Sequence, residues 1–380
     1  MGEWQDRGIT KPAAPTRPDL SDLRVFDGHN DLPWEIRQAG GDLRVINPGM
    51  RLGGRTHTDL ERLAKGRVGA QFWSVYAPST LPEQEALLTT LEQIDLVHRM
   101  VSLHSDHLTL ATSAADCQRA IDEGRIASFI GAEGGHCIAS SLGVLRMLHR
   151  LGVRYLTLTH NHGTAWADSA TDVARAGGLS DFGREVVVEM NRIGMIVDLS
   201  HVAPSTMHAA LEATSKPILF SHSSAWALVD HPRNVPDDIL MQLPANGGVC
   251  QVTFVPAFVS ESCRHWLDEV SEAMEAEGQD GNDLEARDRF GSEFAKTHPR
   301  PRATVADVAD HIDHVREVAG VDHVGLGGDF DGTDDLPQGL DDVSCYPNLI
   351  AELRDRSWSH DELAKLTWKN VVRVVGEVCG

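Results

Sequence analysis

No apolar run in the 380 residues approaches the roughly 20 needed to cross a bilayer, which excludes a membrane-spanning helix as a reading of the sequence. The first twenty residues carry neither the apolar core of a secretory signal nor a twin-arginine pair, so the expectation is a chain that starts here. Asp6 stands where a myristoylation site needs Ser or Thr, and the final Glu-Val-Cys-Gly is no prenylation box. Cysteine is scarce and scattered. Cys117, Cys137, Cys250, Cys263, Cys345 and Cys379 show no CxxC spacing, which predicts reduced thiols and a cytoplasmic protein with no membrane partner. Positive charge is also short, with 34 Lys and Arg against 56 Asp and Glu. The resulting net charge of −22 repels nucleic-acid phosphates, so no nucleic-acid partner is expected. Phosphate-cradling loops are missing too. The nearest candidate, Gly325-Leu-Gly327-Gly-Asp-Phe330, has Phe330 where a dinucleotide fingerprint needs its third glycine, and no Walker A or GxSxG sequence occurs.

What is present is the composition of a globular protein with a large core, 41% hydrophobic and 24% charged. Apolar runs of strand length, rich in β-branched and aromatic residues, occur at 24–31, 68–76, 125–134, 153–161, 194–201, 217–223, 247–255 and 323–332. Helix-like segments lie between them at 82–104, 142–151, 180–193, 204–213 and 305–319, with Ser180 and Thr304 as N-caps. Eight strands alternating with helices predict an α/β fold, a single (β/α)8 TIM-like barrel over residues 21–380 behind a flexible segment 1–20. An open doubly wound sheet is the rival, weakened by the missing phosphate loops. A charged, partly helical insertion, 260–302, falls between strands seven and eight, where it would serve as a lid, a subunit contact or a solvated excursion.

Polar residues able to bind a metal sit at the ends of these runs, where a barrel gathers them into one bowl. His29 and Asp31 are two apart on an extended strand and point to one side; the alternative is His29 capping a turn and Asp31 starting a helix. Glu133 follows the third run among small residues, and its two oxygens can ligate two cations. His136 and Cys137 come just after it and are left out of the ligand set. His201 and His222 end successive runs at matched heights, the arrangement expected of two ligands to one ion. Asp329 and Asp331 flank Phe330 in a glycine-rich setting, one of them a candidate base. His311 and His314, three apart on a helix, read as a solvated face.

The phrases DGHNDLPW (27–34), GAEGGH (131–136), LTLTHN (156–161), DLSH (198–201), SHS (221–223), HPRNVPDD (231–238) and GLGGDFDG (325–332) resemble those of the membrane (renal) dipeptidase family, the M19 metallopeptidases of the amidohydrolase superfamily. The resemblance runs from about residue 24 to the C-terminus and implies a metallopeptidase holding two Zn2+ per chain. His29 and Asp31 would hold one ion, His201 and His222 the other, and Glu133 would bridge them. It further implies that His160 stabilises the oxyanion and contacts substrate, that Arg233 binds the substrate's C-terminal carboxylate, and that Asp329 shuttles the proton. A homodimer is implied as well.

Each implied role has an alternative in the residues themselves: His162 in place of His160, Asp237 or Asp238 as the partner of Arg233, and Asp331 in place of Asp329. The implied reaction is hydrolysis of a dipeptide, including one with a C-terminal D-residue, by hydroxide generated between the two ions. The rival function is another amidohydrolase-type hydrolase, acting on a cyclic amide, a lactam or an acylated amino acid. A non-catalytic barrel would usually have lost a ligand or the shuttle, and here every position is filled.

Overall fold

The computed structural model describes residues 22–279 and 284–380; the segment 1–20 expected to be flexible lies outside the described residues. Among the described residues nine strands form one parallel sheet. They are β1 (Val25–Asn30), β2 (Val68–Tyr76), β3 (Leu108–Leu110), β4 (Ile126–Glu133), β5 (Val153–Thr157), β6 (Ile196–Asp198), β7 (Leu219–Phe220), β8 (Val249–Val252) and β9 (Val324–Leu326). The order β2-β1-β9-β8-β7-β6-β5-β4 closes on itself where β2 pairs along β4, from Ala70 opposite Ala127 to Tyr76 opposite Glu133. The result is a closed eight-stranded parallel barrel surrounded by helices, the α/β architecture expected of the alternating pattern. The extra strand, β3, pairs with Ile126–Ser128 at the start of β4, ahead of the stretch that pairs with β5.

Strands that face a filled interior on one side and helices on the other are apolar on both faces. Every residue of β1 and β4 is accordingly buried. Two packed regions result. Inside, the rings of Phe26, Phe72 and Phe129 lie 5.1–5.4 Å apart. They join Tyr155, Ile196, Leu219 and Val249 and the valines 371, 374, 375 and 378 of the last helix, Asn370–Cys379. These are mostly residues near the strand starts, so the interior has an apolar floor at its N-terminal end. Outside, Ile94, Val97, Leu145, Leu148, Val186, Met190, Ile312 and Val315 turn the buried faces of the surrounding helices toward the sheet.

The helices begin where the sequence signals them. Ser180 caps Asp181–Ile193 by accepting from the Gly183 amide, and Thr304 and Asp307 form a reciprocal capping box on Val305–Ala319. In the charged excursion, Glu261–Ala276 and Leu284–Phe294 are both helices, so more of it is helical than its composition suggests. Trp266, Val270 and Met274 pack there with Phe290 and Phe294 in a cluster separate from the barrel cores.

Several strands are shorter than the apolar runs that mark them. Of the run 217–223 only Leu219–Phe220 is strand, and of 323–332 only Val324–Leu326. The remainder of each run turns away from the sheet at its C-terminal end, with His201, Asp329 and Asp331 at φ of 68°, 58° and 66°. Non-glycine residues rarely adopt this conformation, and such strain gathers at functional sites.

Close approach of these loops depends on Gly327, where an added Cβ would lie 1.9 Å from the Ser221 carbonyl oxygen at the end of β7. Gly327→Ala should therefore cost about 2–3 kcal/mol of stability in a urea titration, the usual scale for overpacking. Gly54→Ala, at a site with nothing within 4 Å of the new Cβ, should change stability by less than about 0.5 kcal/mol.

Candidate metal centre and active site

The C-terminal ends of the barrel strands bring five of the expected donors into mutual contact. His29 is on β1, Asp31 follows it, Glu133 is the last residue of β4, and His201 and His222 come just after β6 and β7. All five are buried. His29 Nε2 lies 3.2 Å from Asp31 Oδ2 and 3.3 Å from Glu133 Oε2. On the other side of the same carboxylate, Glu133 Oε1 lies 3.1 Å from His201 Nε2 and 3.4 Å from His222 Nε2, and those two nitrogens are 3.0 Å apart. One carboxylate thus faces two donor groups, one with each oxygen.

These separations can be compared with those of a metal site. Ligands about 2.0–2.1 Å from a tetrahedral cation are about 3.3 Å from one another. His29 Nε2 and Asp31 Oδ1 are buried without a hydrogen-bond partner, although both belong to this cluster. Burial holds the imidazoles of His160, His201 and His222 well below the ordinary histidine range, and the charge of Arg233 acts in the same sense. Neutral imidazole is the form that ligates metal. The donor set therefore fits divalent cations: the triplets His29–Glu133–His222, Glu133–His160–His201 and His29–Asp31–Asp329 could each hold one, and they overlap at His29 and Glu133.

The alternatives left by the sequence lie in different surroundings. Asp31 occupies the N-cap position of the helix Leu32–Gln38 but makes no side-chain cap bond; its carboxylate faces His29 instead. His160 is the histidine beside the cluster, its Nε2 3.9 Å from Glu133 Oε1 and its ring 4.2 Å from that of His201. His162 is bonded to Ser79 at 2.8 Å. Asp329 Oδ1 lies 3.9 Å from His29 Nε2, whereas Asp331 Oδ1 accepts from the His57 amide at 2.5 Å. Burial pushes the Asp331 carboxyl up to about 7. Gly332 leaves Asp31 and Asp329 their room, since a Cβ there would lie 2.4 Å from an oxygen of each.

Arg233 is buried, its guanidinium 3.4 Å from the His222 carbonyl oxygen, 3.5 Å from Ser223 Oγ and 5.3 Å from the centre of the Phe258 ring. Burial lowers its pKa to about 10, so it stays charged near neutral pH. The pairing with Asp237 or Asp238 does not form, because those acids meet His314 at 2.8 Å and His208 at 3.0 Å. The solvated face expected for His311 and His314 needs correction. His311 is fully buried, and its Nδ1 accepts from the Ala225 amide at 3.0 Å in the loop that leads to Arg233. His136 and Cys137 are buried and take no part in the donor cluster.

Five supporting residues escaped the sequence reading. Ser74 donates to Glu133 Oε2 at 3.0 Å. Ser221 Oγ is 2.8 Å from His222 Nδ1 and donates to Asp198 Oδ2 at 2.7 Å, and Thr157 donates to that same oxygen. Asp198 thereby orients a histidine on the next strand, and Tyr155 lies beside the remaining nitrogen of His29. A carboxylate closing a strand three residues before a candidate ligand was the available signal for Asp198. Partners across strands carry no such spacing.

The family model for membrane dipeptidase, peptidase family M19, matches residues 17–379. The chain belongs to this family. As a member of the membrane dipeptidase family it is a hydrolase of the metallopeptidase kind, within the amidohydrolase superfamily. Among solved structures it is similar to the probable dipeptidase PvdM from Pseudomonas aeruginosa, with 25% identity, 94% of this chain and 96% of that chain covered, and a TM-score of 0.83. It is also similar to the dipeptidase AC, an M19 metallopeptidase, at 25% identity, 94% and 99% coverage and a TM-score of 0.78. A metallopeptidase from Rhodobacter sphaeroides liganded with a phosphinate mimic of L-Ala-D-Ala shares the fold at 22% identity, 94% and 99% coverage and a TM-score of 0.78. No helix among the described residues is long and apolar enough to cross a membrane.

For a membrane dipeptidase whose two donor groups meet at one side chain, Glu133→Gln should hold less divalent metal per chain than the wild type. Elemental analysis after dialysis reads this directly, and an undiminished complement would remove Glu133 from the metal centre.

Proposed function

We propose that the chain is a binuclear zinc dipeptidase, with His29 and Asp31 holding one ion, His201 and His222 the other, and Glu133 bridging. The observation that carries the reading is the division of the Glu133 oxygens between two donor groups, Oε2 toward His29 and Oε1 toward His201 and His222. When bound, the two cations supply Lewis acidity and acidify water toward hydroxide near neutral pH. The protein's own groups do the rest. Arg233 binds the substrate's free carboxylate, since a buried guanidinium with no carboxylate of the described residues in salt-bridge range is suited to a bidentate anion brought by the ligand. Holding that carboxylate fixes the scissile bond one residue away and restricts substrates to dipeptides.

Asp329 is the proton shuttle. Burial raises its carboxyl well above the ordinary range, and Asp31 and Glu133 add to this while His29 opposes it. Such a group can take a proton from the attacking water and return it to the leaving amine. Asp331 is tied by its carboxylate and its amide to His57 and is not free to do so. His160, beside the donor cluster, meets the oxyanion. The phosphinate mimic of L-Ala-D-Ala bound by the Rhodobacter sphaeroides relative supports including dipeptides with a C-terminal D-residue among the substrates.

Amino-acid release from paired L,L and L,D dipeptides by zinc-loaded protein, beside a chelator-treated control, tests the activity. Hydrolysis that the chelator leaves intact would contradict a metal-dependent reaction, and no release from a broad panel with metal bound would shift the reading to another amidohydrolase reaction. Asp329→Asn should keep its metal and lose about 10²–10⁴-fold in kcat. If Asp331→Asn shows that loss instead, the shuttle is misassigned. Converting the substrate's C-terminal acid to an amide should lower kcat/KM by about two to three orders of magnitude, the scale of leaving a buried charge unpaired. Equal rates for acid and amide would contradict the role given to Arg233.

A further inference from the structure

Tyr155 is the middle residue of β5, and its side chain is fully buried inside the barrel. Its hydroxyl lies 2.8 Å from His29 Nδ1 and donates toward the Gly28 carbonyl oxygen at 3.4 Å. β1 and β5 are not neighbours in the sheet, so the phenol reaches through the interior from one wall to another. Gly131 on β4 makes the room for it, since a Cβ there would lie 2.0 Å from the Tyr155 ring. Phe72 supports the ring at a centroid distance of 4.7 Å. The side chain is thus held in place by packing before its hydroxyl meets the histidine.

An imidazole ligand must present one bare nitrogen, and the partner of its other nitrogen decides which one that is. With the phenol proton directed at Gly28, the hydroxyl oxygen accepts from His29 Nδ1–H. Nε2 is then left with its lone pair toward Asp31 and Glu133. His222 has a different support, a serine that is itself bonded to the Asp198 carboxylate. The two proposed metal positions therefore rest on unlike partners, a neutral phenol for one and a serine–carboxylate relay for the other. We infer that Tyr155 is a positioning residue for the proposed reaction, reaching across the barrel to fix the tautomer and ring orientation of His29, with Gly131 leaving the space it needs within this fold. This inference rests on the proposed role of His29 as a metal ligand.

The test is Tyr155→Phe, which keeps the ring and removes only the hydroxyl. Zinc affinity is read by competition with a chromogenic chelator, and thermal unfolding is followed for the metal-free and zinc-loaded forms. The expected result is one zinc position weakened by about 10- to 100-fold, the usual scale for losing such a partner, with the other unchanged. The metal-free melting temperature should match the wild type, and kcat lost at limiting zinc should return with excess zinc. Two positions of wild-type affinity in Tyr155→Phe would overturn the inference and leave the metal reading standing. An equal drop in melting temperature with and without zinc would overturn it in favour of a packing role. Wild-type protein that holds no zinc in the same titration would overturn the metal reading itself, and the inference with it.

Discussion

A carboxylate taken out of water needs a cation or several donors within reach. Glu133 is almost fully buried, receives one hydroxyl donor from Ser74, and is otherwise faced by imidazoles, of which burial holds His160, His201 and His222 neutral. Asp31 and Asp329 add two more acids within a few ångströms of His29. This concentration of negative charge and lone pairs is costly for a protein to assemble alone and natural for one that assembles it around divalent cations. Much of the C-terminal end of the barrel follows from that requirement. Gly332 leaves space for two of the acids, Gly327 lets the β9 loop approach β7, and His201 and Asp329 accept left-handed backbone.

The fold was largely legible in the sequence because strand-length apolar runs and helix caps are local signals. The eight runs correspond to the eight barrel strands, and Ser180 and Thr304 cap the helices they were expected to cap. β3 was missed because three residues, only one of them fully buried, make no apolar run. The runs also overstated the strands. Apolar side chains continue past the last ladder bond at Leu199 and Phe330, since the loops that carry the donors are themselves packed.

The donor residues were legible for a related reason, since a barrel places all its strand ends on one rim. What spacing could not supply was which side chain faces which. His160 and His162, like Asp329 and Asp331, are two residues apart in the chain, and only the structure shows their different partners, Ser79 for His162 and His57 for Asp331. Supporting groups were harder still. Tyr155 and His29 are 126 positions apart on strands that never pair, so their contact exists only once the barrel has closed.

Charge gives the site its selectivity on the proposed reading. A chain of net charge −22 repels anions at long range, yet the ligand it is proposed to take carries a carboxylate. The compensation is local: Arg233 is buried beside His222, feels the charges of Asp329 and Glu133, and remains protonated with its pKa lowered only to about 10. On that reading a dipeptide places its free carboxylate on this guanidinium and its scissile bond, one residue away, at the metal centre. A longer peptide would have to bury uncharged backbone where the carboxylate belongs, leaving the arginine unpaired. On the proposed reading that penalty, set by one buried charge, favours dipeptides over longer peptides.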